Sequence, residues 1–412
     1  MIRIMSIRSF LSVSPRFLAF GFFTAFFSSF GQTFFISLSS ADIRSEFGLS
    51  HGDFGLIYSL GTVSSAALLI WAGRKIDDLS LRLYTSIVCI GLALACLGMA
   101  NVSSVVMLTV VIFGLRLSGQ GLLSHISNVA MARYFNEHRG KALSIAAMGY
   151  PVGEALLPVI AVALIAAFSW RTMWSSIGIM LLVGLVPLMW WLLRGHGEKH
   201  RNLAERNVPL GALEKPGWSR AQVVRDPRFY TLLPSFLAVS FIVTGFLFHQ
   251  VHLTETKGWS LTVFVSFFVF YAAGQISAAL LTGVLIDRYD ALRMMRIYLL
   301  PGAVGLAVLA LFEAPWAGAA FMGLMGISTG MVAVTHGAIW AEIYGITHLG
   351  AIKAMGTALM VFSTALSPPI MGLAIDATVT MNHIALACIA YIGIAAALVT
   401  FVYPRVGRAP EI

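Results

Sequence analysis

Charge is scarce in this chain. Asp, Glu, Lys and Arg make up 11% of its 412 residues, against about 25% in ordinary soluble domains. A water-soluble fold of this length would need far more polar surface, which excludes a soluble globular protein. Cysteine is nearly absent too. Cys89, Cys96 and Cys388 all fall inside apolar blocks, as small hydrophobes packed between helices do, and they form no disulfide or zinc framework. No Walker phosphate loop, H-E-x-x-H or C-x-x-C occurs, so neither ATP-driven work nor an enzyme or cofactor is expected. The net charge of +9 could suggest nucleic acid. The aromatic residues, however, are not interleaved with a basic patch, and no nucleic-acid partner is expected.

What the chain does have is apolar length. Hydrophobic residues reach 58% and come in blocks near the ~20 residues that cross a bilayer. With no water in the hydrocarbon to satisfy backbone groups, such blocks must be helices. Twelve spans are predicted, at 17–39, 53–73, 83–101, 104–133, 142–167, 172–193, 229–253, 261–286, 294–312, 316–344, 350–374 and 382–403. The fold class expected is therefore an all-α polytopic membrane protein.

Of 27 Lys and Arg, 23 fall in alternate segments that include both termini. The positive-inside rule then puts both termini in the cytoplasm of a multi-pass inner-membrane protein. The basic start (Arg3, Arg8, Arg16) resembles a signal peptide, but with no convincing cleavage site ahead of Arg44 it reads as a retained first span. The longest polar interval, Arg194 to Arg228, carries Gly195, Gly197, Pro209, Pro216 and eight basic residues. It reads as a solvated tether lying along the anionic inner leaflet.

The same residues recur 210 positions apart: Gly73 with Gly283, Asp77 with Asp287, Gly140 with Gly350 and Pro158 with Pro368. This repeat divides the chain into two homologous six-helix bundles, 1–194 and 229–412, joined by a cytoplasmic linker, 195–228. Two such halves around a midplane site are how many secondary transporters are built. The loop after span two reads Gly73-Arg-Lys-Ile-Asp77-Asp78-Leu-Ser80-Leu-Arg82, and that after span eight reads Gly283-Val-Leu-Ile-Asp287-Arg288-Tyr-Asp290-Ala-Leu-Arg293.

These loops resemble the G-x-x-x-D-[RK]-x-G-[RK]-[RK] signature of the major facilitator superfamily. The first copy departs from it at Asp78 and Ser80. The resemblance implies a latch at the inner side, with Asp77 pairing with Arg133 at the end of span four. Asp287 stands at the equivalent place in the second half. There Glu342 replaces the arginine, so Arg288 or Arg293 would have to serve.

Two ionisable residues lie at membrane depth. Arg116 is half-way along span four and Glu154 half-way along span five. An arginine there costs ~2.5–3.5 kcal/mol even on the lenient insertion scale, so it must face a partner or a watery cavity. At 100° per residue, Gln120 lies about 40° round from Arg116, Ser127 about 20° and Ser124 about 80°, while His125 falls about 180° away. Tyr150, Glu154 and Pro158 share a face of span five. Gly149-Tyr-Pro151-Val-Gly153 gives that helix a weak point.

Two readings stand side by side. In one, Arg116 and Glu154 form a buried ion pair. In the other, Arg116 holds an anionic group, whose carboxylate its fork matches, while Glu154 takes and releases a coupling proton. Other cavity candidates are Gln32 on span one, His249, Gln250 and His252 on span seven, Tyr271, Gln275 and Thr282 on span eight, and Thr329, His336 and Trp340 on span ten.

The order Gly-Tyr-Pro-Val-Gly departs from the G-P-x-x-G-G pattern of drug–proton antiporters. The stretch Arg133-Tyr-Phe135 through Arg139-Gly-Lys141-Ala, with Glu154-Ala-Leu-Leu-Pro158 after it, is more similar to the branch that moves oxalate or monocarboxylates. The expectation is a monomeric secondary transporter of a small organic anion, driven by a proton or anion gradient. Efflux of hydrophobic or cationic compounds is the alternative, and a transporter-like sensor is the rival of another class.

Overall fold

The computed structural model describes residues 14–135, 139–195, 217–345 and 347–406, with side chains to 401. Arg3, Arg8 and Arg408, and most of the linker including Gly197, Pro209 and Pro216, lie outside the described residues. All regular structure within them is helical.

Eleven helices are long and apolar enough to cross a membrane. These are His51–Asp78, Leu81–Ala100, Val105–Tyr134, Arg139–Ala167, Trp170–Leu192, Pro227–Phe248, Leu261–Tyr289, Ala291–Leu311, Pro315–Tyr344, Leu349–Asp376 and Met381–Phe401. A bent pair, Pro15–Gly31 and Thr33–Phe47 at 47°, stands at span one. The twelve predicted spans are thus matched in order. Their outward faces carry Leu60, Ile70, Val106, Leu280 and Leu311, each more than 60% exposed. In water such faces would aggregate, whereas against lipid they are at no disadvantage.

Polar residues at the span ends start the helices. Ser80 accepts from Leu83 N (3.3 Å), Ser104 from Met107 N (3.2 Å) and Ser169 from Thr172 N (3.1 Å). Each satisfies an orphan amide of the first turn. At the end of the predicted linker, Ser219 and Gln222 form a capping box over the short helix Arg220–Arg225. Asp226 then caps span seven through Arg228 N (3.0 Å), with Pro227 at the first helical position.

The helices gather into two compact units. One comprises Met1–Ile36 and Leu60–Gly211, the other Ser37–Ser59 and Ala212–Ile412. The segment 37–59, which lies in the first half of the sequence, therefore groups with the second unit. In the first unit span three packs on span six, and span one on spans four and five. In the second, span ten packs on spans eight and nine, and span seven on spans eleven and twelve. Small residues let backbones meet here. A Cβ on Gly326 would strike the Tyr271 carbonyl, and one on Gly330 the Gln275 carbonyl.

Candidate functional site

Span one is broken in mid-course. A tight turn over Ser28–Gly31 gives way to extended backbone at Gln32 (φ −83°, ψ 154°), after which helix resumes. In an unbroken helix Phe35 N would donate to Gly31 O. Here Phe35 N (3.2 Å) and Ile36 N (3.1 Å) both donate to Gln32 O, releasing the Gly31 carbonyl. Arg116 takes it up, its Nη1 donating at 3.1 Å from a side chain only 3% exposed. A freed carbonyl and an intramembrane cation thus satisfy one another, as polar groups out of water must.

Arg116 also begins an irregular stretch of its own helix. From Arg116 to Leu123, span four winds as a π-helix, in which i→i+5 bonds widen the turn. Side chains of Arg116-Leu-Ser-Gly-Gln-Gly are therefore displaced from the 100° wheel. Gly119 sits where span one crosses: a Cβ there would lie 2.7 Å from Gly31 Cα. Gln120, half-buried, follows at the same crossing, where its backbone nitrogen would lie 2.6 Å from a Cβ on Gly31. Beyond the π-stretch His125 turns away, its Nε2 3.1 Å from the Gly73 carbonyl of span two, and Ser127 donates to Gly21 O of span one at 2.7 Å.

Span five is interrupted at Met148, between the helices Arg139–Ala147 and Gly149–Ala167. Pro151 explains the position, since it has no N–H to offer the carbonyl of Ala147. The flanking glycines are contact points: a Cβ on Gly149 would strike the Phe22 carbonyl, and one on Gly153 the Ser29 hydroxyl. The Tyr150 hydroxyl interacts with the side chains of Ser124 and Asn128 on span four. Glu154, next to Gly153, has its Oε2 buried with no hydrogen-bond partner. So Arg116, Gln120, Gln32, Tyr150 and Glu154 come from three helices that cross one another within the first unit.

The second unit holds the other candidates, differently placed. Gln275 Oε1 on span eight and His336 Nε2 on span ten are buried without hydrogen-bond partners. The His336 ring stacks on Phe236 at 3.8 Å. Trp340 is core. It is 1% exposed among Phe229, Phe236 and Tyr344. Span ten also contains Gly326-Ile-Ser328-Thr-Gly330, the letter pattern of a hydrolase nucleophile. Ser328 is fully buried inside a continuous helix, however, accepting from Gly302 N at 2.8 Å, and presents no exposed hydroxyl.

At the loops, Arg133 Nη2 pairs with Asp77 Oδ1, both side chains about half exposed. Gly73 closes span two with its N–H on Leu69 O (2.8 Å). The matching loop of the second half is built otherwise. Asp287 and Arg288 are exposed, with the Arg288 guanidinium 5.3 Å over the Tyr289 ring. Arg293 pairs locally with Asp290 at 3.2 Å. Glu342 accepts from Ala291 N (2.7 Å) and Leu292 N (3.3 Å), so it caps the start of span nine. Gly283 has open space where a Cβ would stand, so no close helix approach occurs at it.

The opposite ends of spans one, two, seven and eleven bring the span-seven candidates His249, Gln250 and His252 together with residues that the sequence did not single out, Asp376 foremost. Asp376, closing span eleven, accepts from His51 N (3.0 Å) and Gly52 N (2.7 Å), which caps span two. A Cβ on Gly55 would lie 2.7 Å from the Pro369 backbone, and one on Gly372 2.5 Å from the His51 carbonyl. Ser59 Oγ donates to Ala365 O. Gln250, fully buried, donates to Ser37 Oγ (2.8 Å), which in turn donates to Leu247 O (2.6 Å). His249 bonds the Pro368 carbonyl at 3.0 Å, and the His51 ring lies 4.4 Å from that of His252. Asp376 has no counterpart 210 residues earlier, where Ala166 stands, so the repeat could not flag it.

No curated protein sequence matches the chain. Among solved structures, a bacterial homologue of the human lysosomal transporter Spinster, inward-facing and occupied, is 14% identical with a TM-score of 0.66, over 98% of this chain and 96% of that one. The nucleoside transporter NupG is 14% identical with a TM-score of 0.63, over 96% and 97%. At such identities the likeness is one of fold. In sequence, residues 21–270 match the family described as Major Facilitator Superfamily, from span one into span eight. The chain belongs to the major facilitator superfamily.

Proposed function

We propose that this transporter moves a small organic anion, a carboxylate, across the inner membrane by alternating access. Arg116 is the anchor of its substrate and Glu154 the carrier of the coupled proton. The observation that carries the reading is the buried Arg116 guanidinium at the break in span one, which span five, bearing the unpartnered Glu154 oxygen, crosses at Gly149 and Gly153. An arginine fork matches the two oxygens of a carboxylate, and here its Nη1 donates to Gly31 O. A carboxyl held out of water favours its protonated form unless a cation or donor faces it. Anion binding at Arg116 and proton binding at Glu154 would then reinforce one another, which is the linkage a proton-coupled carrier needs.

Gln32, Gln120 and Tyr150 accompany them in the first unit. Within the second unit, Gln275 and His336 are the candidates for polar contact with substrate, because each retains an unsatisfied polar atom. Trp340 supports them from the core. Gln250 belongs to the packing of 37–59 on spans seven and eleven, which we assign as the closed outer gate. Gly73, Asp77 and Arg133, with Gly283, Asp287, Arg288 and Arg293, serve the inner side. The Lys and Arg bias supports both termini in the cytoplasm, and the carrier acts as a monomer.

The test is uptake into proteoliposomes of a carboxylate, chosen by thermal-shift screening of oxalate, lactate, sugars, amino acids and cationic drugs. Arg116→Ala should abolish it in protein that still folds. Full retention of uptake would retire the anchor role. Efflux of cations, with Glu154 as the charge partner, would instead appear as stabilisation by cationic drugs that Glu154→Gln removes.

A further inference from the structure

Spans three and six part at their Arg82 ends to leave an open groove of about 620 Å³, lined by Arg82, Val186, Pro187, Trp190, Trp191 and Arg194. None of these residues belongs to the transport site. The groove is built from the sequence upward. Arg82 stands in the first turn of span three and donates its Nη2 to Leu193 O, just past span six, at 3.1 Å. That carbonyl is one of the orphans every helix end leaves. The guanidinium lies 5.4 Å over the Trp190 ring. The ring is itself oriented by its Nε1–H donating to Ser86 Oγ at 2.7 Å, and Ser86 donates back to Arg82 O at 2.8 Å. Arg82 is thereby held in place with most of its donors unspent.

Arg194 is exposed beside it, and Trp190 and Trp191 are each 51% exposed. The floor, Val186 and Pro187, is apolar. Close in sequence to the lining residues, Leu83 and Ile87 on span three and Val183 on span six are further exposed apolar side chains. Among the described residues, no carboxylate lines the groove.

Two guanidinium groups above an apolar, indole-flanked floor match one chemistry: a phosphodiester carrying an acyl chain. Indoles sit at headgroup depth in membranes, and basic pockets between spans at that level take anionic headgroups. We propose that this groove binds an anionic phospholipid, its phosphate between Arg82 and Arg194 and its glycerol and upper acyl carbons on Val186, Pro187 and Trp191. The lipid joins the ends of spans three and six.

Native mass spectrometry and thermal melting of the full-length protein in detergent test this. Phosphatidylglycerol is compared with phosphatidylcholine of the same chains, and inorganic phosphate serves as a third arm. Wild type should retain and be stabilised by phosphatidylglycerol in preference to phosphatidylcholine, and be unaffected by millimolar phosphate. Arg194→Gln, which touches only an exposed side chain, should lower that preference about fivefold, as loss of one basic residue at an anionic surface does. Arg82→Gln with Arg194→Gln should abolish it. Equal retention of both lipids, or an unchanged preference in Arg194→Gln, would overturn the proposal. Phosphate matching phosphatidylglycerol in stabilisation would show a free-anion site and overturn it equally.

Discussion

Arg116 is stabilised by the defect it lies beside. Its bond to Gly31 O is charge-assisted and buried, so removing it leaves a carbonyl unsatisfied in a water-poor place, at a cost of about 1.5–3 kcal/mol. Arg116→Ala should therefore melt several degrees below wild type, with Arg116→Lys in between. Equal melting temperatures for all three would show that the bond contributes nothing. A second residue-scale test lies at Lys257, whose buried ammonium donates to Glu313 Oε1 at 2.9 Å. That bond holds the exposed Glu313 carboxyl below its usual range. A lowered folded value means stabilisation present above the unfolded value and lost as pH falls through the folded one. Glu313→Gln should thus cost at most ~1 kcal/mol at neutral pH, and its melting temperature should converge on wild type as pH falls below about 4. A difference that persists in acid would contradict this. The sequence made Arg116 and Glu154 conspicuous because charge at membrane depth is costly. It could not supply the partner of Arg116, a backbone carbonyl that carries no side-chain signature.

Breaks give the helices of the first unit their meaning. The interruption at Met148 was legible, since Pro151 removes one donor at a fixed offset. The break at Gln32 was not, because no proline marks it and the carbonyl it frees is satisfied by a side chain from another helix. The π-turns from Arg116 to Leu123 defeat a wheel drawn at 3.6 residues per turn, and so the stripe of Arg116, Gln120, Ser124 and Ser127 was only partly readable. Glycine shows the same division. Gly31, Gly119, Gly149 and Gly153 lie at crossings, whereas the repeated Gly283 faces open space. The proposed outer gate can be tested at this scale. A leucine at Gly55 cannot fit against the Pro369 backbone, so Gly55→Leu should hold spans two and eleven apart there. An impermeant maleimide should then label Ser40→Cys, a site 6% exposed in the closed packing, roughly tenfold faster in that background, the factor a 1.4 kcal/mol shift produces. Unchanged labelling would mean that this contact does not set the gate.

At the scale of the molecule, the repeat of 210 residues was readily legible, because Gly73, Asp77, Gly140 and Pro158 each recur at one fixed spacing. The apolar blocks anticipated the twelve spans, and the two loop copies the superfamily to which the chain belongs. The two loop copies differ in detail: Arg133 pairs with Asp77 at the first, while Glu342 caps a helix at the second. The segment 37–59 groups with the second unit through backbone contacts at glycine, proline and serine, which neither periodicity nor charge could announce. The central claim is that anion movement at Arg116 is tied to a proton on Glu154. The direct measurement is internal pH in pyranine-loaded proteoliposomes given a downhill carboxylate gradient and no other driving force. Wild type should change internal pH as the anion moves, and Glu154→Gln should still exchange labelled anion while leaving internal pH constant. A pH change undiminished in Glu154→Gln, or none in wild type during active anion movement, would contradict the account.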